Sequence, residues 1–160
     1  ALEARNGRMD FAELELRALV EQNVATARNA AEPRGVTVTL TAGAAVRVRG
    51  ESFLLAQSLG NLLHNAIEFT PAGGAVTVMM TTDGARANVC VEDTGAGVPA
   101  YALEKVFDRF YSLPRPGTGR KSSGLGLSIV REVARLHGGE ATLENQPAGG
   151  ARAVLILPVA

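Results

Sequence analysis

Apolar and polar positions change their spacing several times along the chain, and each change marks an element. In FAELELRALVEQNVATARNAA, Leu16, Leu19, Val20, Val24 and Ala27 recur with helical period, and Pro33-Arg34-Gly35 ends the run. Residues 1–10 are polar and broken by Gly7, and read as a tail or the end of a preceding helix. VTVTLTA (36–42) and AVRVRG (45–50) alternate as half-buried strands do, with Gly43-Ala44 as the turn between them. A helix follows over about 51–69, stopped by Thr70-Pro71 and Gly73-Gly74. AVTVMMTTD and ARANVCVED flank Asp83-Gly84, a strong hairpin signal. AYALEKVFDRF is a short helical patch, and SLPRPGTGRKSSG (112–124) a long loop. GLGLSIVREVARLH is a glycine-led helix closed by Gly138-Gly139, with His137 expected to help finish it. EATLENQ and ARAVLILPV pair around Pro147-Ala148-Gly149-Gly150. Hairpins plus helices that do not alternate strictly with strands predict an α+β fold, helices layered on one face of a mixed sheet.

The helix over 51–69 carries an unusual polar stripe. Leu59, Leu62, Leu63, Ala66 and Phe69 form its apolar side, while Gln57, Asn61, Asn65 and Glu68 share another, with His64 at its edge. Wet helix faces ordinarily carry lysine and glutamate. Here most of the stripe is carboxamide.

Totals narrow the classes. At 160 residues, 46% hydrophobic and 20% charged, the chain is one globular domain. Sixteen basic and sixteen acidic residues cancel, and no basic stripe interleaved with aromatics argues for nucleic acid. Cys90 is the single cysteine, so no internal disulfide forms, and its place in NVCVE reads as a small buried hydrophobe. No apolar run approaches the roughly 20 residues that span a bilayer.

Three features bear on chemistry. Asparagine offers a neutral carbonyl oxygen and two donors, so Asn61 and Asn65, one turn apart, suit a Mg²⁺–phosphate cluster. Asp93 sits where an apolar strand gives way to Gly95-Ala96-Gly97, and a carboxylate fixed there suits an exocyclic amine such as that of adenine. SSGLGLSIV (122–130) opens a helix with glycines, whose N–H groups suit phosphate. Arg109, Arg115, Arg120 and Lys121 lie just upstream, placed to close over a polyphosphate. Singly, each is better read as an ordinary device: solvated amides, an Asp-Gly turn, a Ser-capped helix entry.

In order, NLLHNAIEFTP, DTGAGVP, FDRFY, GLGLSIV and RLHGGEATLENQPAGGARAVLILP resemble the catalytic, ATP-binding domain of bacterial two-component sensor histidine kinases. In that family's terms the first four look like the N, G1, F and G2 boxes of the GHKL superfamily. The resemblance covers roughly residues 12–158 and implies a two-layer α/β sandwich of a mixed sheet packed on helices, the GHKL or Bergerat type. Residues 1–11 are similar to the end of the dimerisation region, and 12–160 to the ATP-binding kinase domain.

The same resemblance implies roles. Asn65 is the Mg²⁺ ligand, Asn61 a phosphate or metal-shell contact, and Asp93 the adenine anchor. Phe69 borders the adenine, and Gly95, Gly97 and Val98 belong to the adenine-side loop. Ser123, Gly124, Leu125, Gly126 and Leu127 line the phosphate side, Arg109 joins Asn61 and Asn65 in catalysis, and 108–123 form a lid. Glu68 stands where the family usually has Lys, and Arg152 where a small hydroxyl residue is typical.

The implied reaction is binding of ATP·Mg²⁺ and donation of the γ-phosphoryl group to a histidine. Hydrolytic relatives commonly carry Glu at the place of Asn61, where a carboxylate serves as general base. Asparagine cannot take that proton. His64 precedes Asn65-Ala66 and His137 precedes Gly138-Gly139, so neither has the acceptor's surroundings. The acceptor is expected on a His-containing dimerisation domain of the same parent protein, a homodimer, with a downstream response regulator beyond it. The domain is expected to face the cytoplasm, with the parent anchored in the cell membrane. The rival readings are a GHKL-type ATPase or anti-sigma-like serine kinase, and a degenerate interaction module.

Overall fold

The structure of the protein, a computed structural model, describes residues 10–41, 43–109, 111 and 126–160. The first described element is a strand, β1 (Ala12–Glu15), followed by helix α1 (Leu16–Ala31). The helical pattern of the sequence holds from Leu16 onward, but AELE is extended because it pairs with β3 (Arg47–Gly50), setting Leu14 against Val48. Leu14 and Leu16 stand two apart, a strand's spacing rather than a helix's, and the pairing with β3 makes the segment extended. Glu15 then caps α1, its carboxylate accepting from the Ala18 N–H at 3.1 Å.

A 3-10 turn (Glu32–Arg34) and Gly35, at φ 71°, end α1 and lead into β2 (Thr37–Thr41). The sequence put a turn between β2 and β3, yet they do not pair. β2 runs parallel to β4 (Ala75–Asp83), whereas β3 joins β1 in a separate antiparallel ribbon. Alternation identifies a strand but not its neighbour.

Helix α2 (Ser52–Glu68) begins at Glu51, whose carboxylate accepts from the Leu54 N–H at 2.9 Å. It ends where the Thr70 hydroxyl donates to the Ala66 carbonyl at 2.7 Å, just before Pro71. β4 turns at Gly84 (φ 60°) into β5 (Arg86–Asp93), as the Asp-Gly pair implied. Over residues 100–109 the AYALEKVFDRF patch is a 3-10 turn at Ala100–Ala102 followed by successive turns rather than a helix. Helix α3 (Gly126–Leu136), β6 (Glu140–Asn145) and β7 (Ala151–Pro158) complete the described elements.

Among the described residues the main sheet has strand order β2-β4-β5-β7-β6, parallel only at β2–β4. One face is apolar by alternation: Val76, Val78, Val89, Val91, Leu155 and Leu157 pack in a single core with Val20 and Val24 of α1, Leu59 and Leu62 of α2, and Val130 and Val133 of α3. This is the expected α+β, two-layer arrangement. The opposite face carries the exposed Thr37, Thr39 and Thr41 together with the charged pair of Arg152 and Glu92. Cys90 is buried there, with Arg152 Nη2 3.5 Å from its Sγ. A smaller cluster of Ala102, Val106 and Phe107 packs on Val98 and Leu127. Among the described residues no helix is long and apolar enough to cross a membrane.

Candidate functional site

The amide stripe of α2 meets both glycine segments. The Asn61 Nδ2 donates to the Gly126 carbonyl at 3.2 Å, which brings the stripe to the first residue of α3. Two turns further on, the Phe69 carbonyl lies so close to Gly95 that a Cβ at 95 would come within 2.4 Å of it. Asn61 and Phe69 are eight residues apart, about 12 Å along a helix. Asn65 stands midway, half-buried. Among the described residues its side chain makes no hydrogen bond, so its carbonyl oxygen and amide are available to a ligand.

Asp93, at the end of β5, is 8% exposed. Its Oδ1 accepts from the Gly95 N–H at 2.9 Å and the Ala151 N–H at 3.2 Å. Burial pushes its carboxyl above the ordinary value, and those two N–H groups pull the other way. Among the described residues no hydrogen bond reaches Oδ2. The loop that follows is pinned from three sides. Thr94 Oγ1 accepts from the Ala75 N–H at 2.9 Å, and Gly150 presses on the Asp93 carbonyl, where a Cβ would come within 1.8 Å. On the third side, Val98 exchanges two hydrogen bonds with the Asn145 carboxamide, at 2.7 and 2.6 Å. The sequence reading missed Asn145, Gly150 and Ala151. Asn145 acts from the β6–β7 hairpin through its carboxamide, Gly150 and Ala151 through their backbone, and none of these contacts leaves a periodic trace.

The remaining candidates divide. Gly97 lies in the pinned loop at φ 81°, and Leu127 bridges the main core and the smaller cluster. Arg109 is exposed at the end of the turns after Ala102, and the neighbouring Asp108 lies 3.6 Å from Arg131 of α3. Ser123, Gly124 and Leu125 lie outside the described residues, as does most of the expected lid over 108–123. Glu68 is half-buried, with His64 Nε2 3.6 Å from its Oε2, and the Arg34 Nη2 donates to its backbone carbonyl at 3.2 Å. His64 is exposed.

His137 is more than a helix stop. It is buried, and its Nε2 accepts from the Glu51 N–H at 3.1 Å while Nδ1 lies 2.7 Å from the Val133 carbonyl. A carbonyl only accepts, so Nδ1 carries the hydrogen and the ring is neutral. Phe11 stacks against it with ring centroids 5.0 Å apart.

Comparison with known proteins agrees with this geometry. Residues 50–160 match the family described as histidine kinase-, DNA gyrase B-, and HSP90-like ATPase. The sensor protein CreC of Escherichia coli is 54% identical over 112 residues, which is 70% of this chain and 23% of CreC. The chain therefore spans about a quarter of that relative's length. The mycobacterial sensor histidine kinase MprB superposes with a TM-score of 0.81 at 27% identity, over 93% of this chain and 97% of that one. Full-length ShkA, solved in complex with AMPPNP, gives a TM-score of 0.81 at 26% identity, over 96% of this chain and 32% of ShkA. The chain belongs to the histidine kinase-, DNA gyrase B- and HSP90-like ATPase family, and within it resembles the ATP-binding domains of sensor histidine kinases.

Proposed function

We propose that this domain binds ATP·Mg²⁺ along the amide face of α2 and passes the γ-phosphoryl group to a histidine on a separate dimerisation domain of the same parent protein. One observation carries the reading: α2 reaches the Gly126 end of α3 through the Asn61 side chain and the Asp93 loop through the backbone carbonyl of its C-cap, Phe69, with an unengaged Asn65 between. The AMPPNP bound to the related ShkA supports a nucleotide as the ligand.

Roles follow from the chemistry of the side chains. Asp93 Oδ2 accepts from the adenine amine, and Phe69 borders the base. Gly95, Gly97 and Val98 allow backbone to lie close to it. Asn61 and the backbone of Ser123, Gly124, Leu125, Gly126 and Leu127 hold the phosphates, with α3 contributing the positive end of its dipole. Arg109 neutralises charge as the phosphoryl group moves.

Magnesium fits the donors present. Among the described residues no cluster of three or more His, Cys, Asp or Glu exists to hold a metal alone. The Asn65 carbonyl oxygen is a hard, neutral donor, suited to a cation whose other ligands are phosphates and water. Bound there, Mg²⁺ supplies charge neutralisation on the phosphates. Asn61, lacking a basic oxygen, orients rather than deprotonates, which keeps water from competing for the phosphoryl group.

Residues 1–11 are read as the end of the dimerisation region and 12–160 as the kinase domain, a boundary supported by β1 starting at Ala12. The domain faces the cytoplasm, its parent is a membrane-anchored homodimer, and the phosphoryl group passes on to a response regulator. Mixing this domain with a histidine-bearing dimerisation domain, ATP and Mg²⁺ should yield acid-labile phosphohistidine. No label above an Asp93→Ala control would overturn the proposal, and brisk phosphate release by the domain alone would favour an ATPase.

A further inference from the structure

We infer that Asn145 is a positioning residue for nucleotide binding, acting on the loop after Asp93 without touching the nucleotide itself. The inference rests on the nucleotide reading above and adds a residue to it from the other end of the chain.

Asn145 closes β6 opposite Ala151 of β7. Its carboxamide does for Val98 what a neighbouring strand would do: Oδ1 accepts from the Val98 N–H at 2.7 Å and Nδ2 donates to the Val98 carbonyl at 2.6 Å. Both bonds converge on one residue, so they fix its plane as well as its place. The preceding Gly97 is shaped around this contact. It sits at φ 81°, and a Cβ there would lie 2.7 Å from Asn145 Oδ1.

The hairpin thus grips the loop at both ends. Ala151 N–H holds Asp93 Oδ1 at the start, and Asn145 holds Val98 at the finish. Val98 in turn packs on Ala102, Val106 and Phe107, together with Leu127 from the first turn of α3. Releasing Val98 therefore loosens the wall on the base side and the small cluster beneath the phosphate side together. Asn145 is exposed, so the freed backbone groups of Val98 would meet water rather than an apolar interior. The fold tolerates that exchange, whereas a binding loop that has to be ordered anew on each encounter does not.

The test compares wild type with Asn145→Ala and Asn145→Asp by calorimetric titration with ATP·Mg²⁺, by melting temperature without ligand, and by hydrogen exchange at the Val98 amide. Aspartate keeps the acceptor for Val98 N–H but sets an oxygen against its carbonyl, so it should do no better than alanine. The expected result is a protected Val98 amide in wild type only. ATP should bind about tenfold more weakly in both variants, the cost of ordering the released loop on binding, with the melting temperature nearly unmoved. Wild-type affinity in Asn145→Ala, or a weakening matched by an equal loss of fold stability, overturns the positioning role alone. A wild-type domain that binds no ATP overturns the nucleotide reading and this role with it.

Discussion

The imidazole of His137 bridges two helices, taking the Glu51 N–H at the start of α2 while donating to the Val133 carbonyl within α3. Burial holds its pKa below the ordinary value, against the opposing pull of the Val133 carbonyl and the Glu51 carboxylate. The folded state thus binds fewer protons than the unfolded one just below the unfolded value of about 6.5. Stability is full above that pH and declines as pH falls through it, levelling off once the folded value is passed. Urea midpoints should drop between pH 7.5 and pH 5.5, and His137→Gln should flatten that slope. Losing both bonds in His137→Ala should cost about 2–3 kcal/mol at neutral pH, because two buried hydrogen bonds and the packing on Phe11 go together.

Asp93 runs the other way. Its raised pKa means that ionising it costs stability as pH climbs through the window between the unfolded and folded values. Asp93→Asn keeps an oxygen for the Gly95 and Ala151 N–H groups and removes the buried charge. At pH 7 this variant should unfold at the same or a higher urea concentration than wild type. It should nevertheless lose ATP binding, since its NH₂ would face the adenine amine. Loss of stability without loss of binding would contradict both halves of that expectation.

Ser58 is fully buried in α2, and among the described residues its hydroxyl has no hydrogen-bond partner. An orphan of this kind costs about 1–3 kcal/mol in desolvation, and alanine is also the better helix former. Ser58→Ala should therefore raise stability by about 1 kcal/mol in a denaturant titration while ATP affinity stays the same.

Two glycines separate backbone strain from steric contact. Gly84 (φ 60°) and Gly97 (φ 81°) both need the left-handed region, but among the described residues a Cβ at Gly84 meets nothing within 4 Å whereas one at Gly97 meets Asn145 Oδ1 at 2.7 Å. Gly84→Ala should cost about 1 kcal/mol from strain alone, with ATP affinity unchanged. Gly97→Ala adds the clash, and should weaken ATP binding by more than its stability loss explains.

Local pattern revealed most of the elements and none of the long-range side-chain contacts. The amide helix was found within about a residue at each end because its apolar positions repeat and Thr70-Pro71 stops it. Both hairpins were visible from their turn residues. AELE reads as helix in the sequence because four residues containing a single leucine carry too little periodicity to outvote the helix that follows. The separation of β2 from β3 was invisible for a related reason, since strand alternation names no partner. At the site, Asp93 and the amides were legible as residue types on recognisable elements. Asn145 and His137 were not, because each serves a backbone group far away in sequence, 47 and 86 residues off.

The strand order β2-β4-β5-β7-β6 has a consequence for synthesis. β7 is the last described strand in sequence, yet it lies inside the sheet, between β5 and β6. As the chain leaves the ribosome, β6 has no neighbour and β5 shows an open edge until β7 follows. The layer carrying Asp93 therefore closes only after translation has passed residue 158. Nascent chains stalled short of that point should hold the β4–β5 hairpin and engage chaperones, without forming a nucleotide pocket.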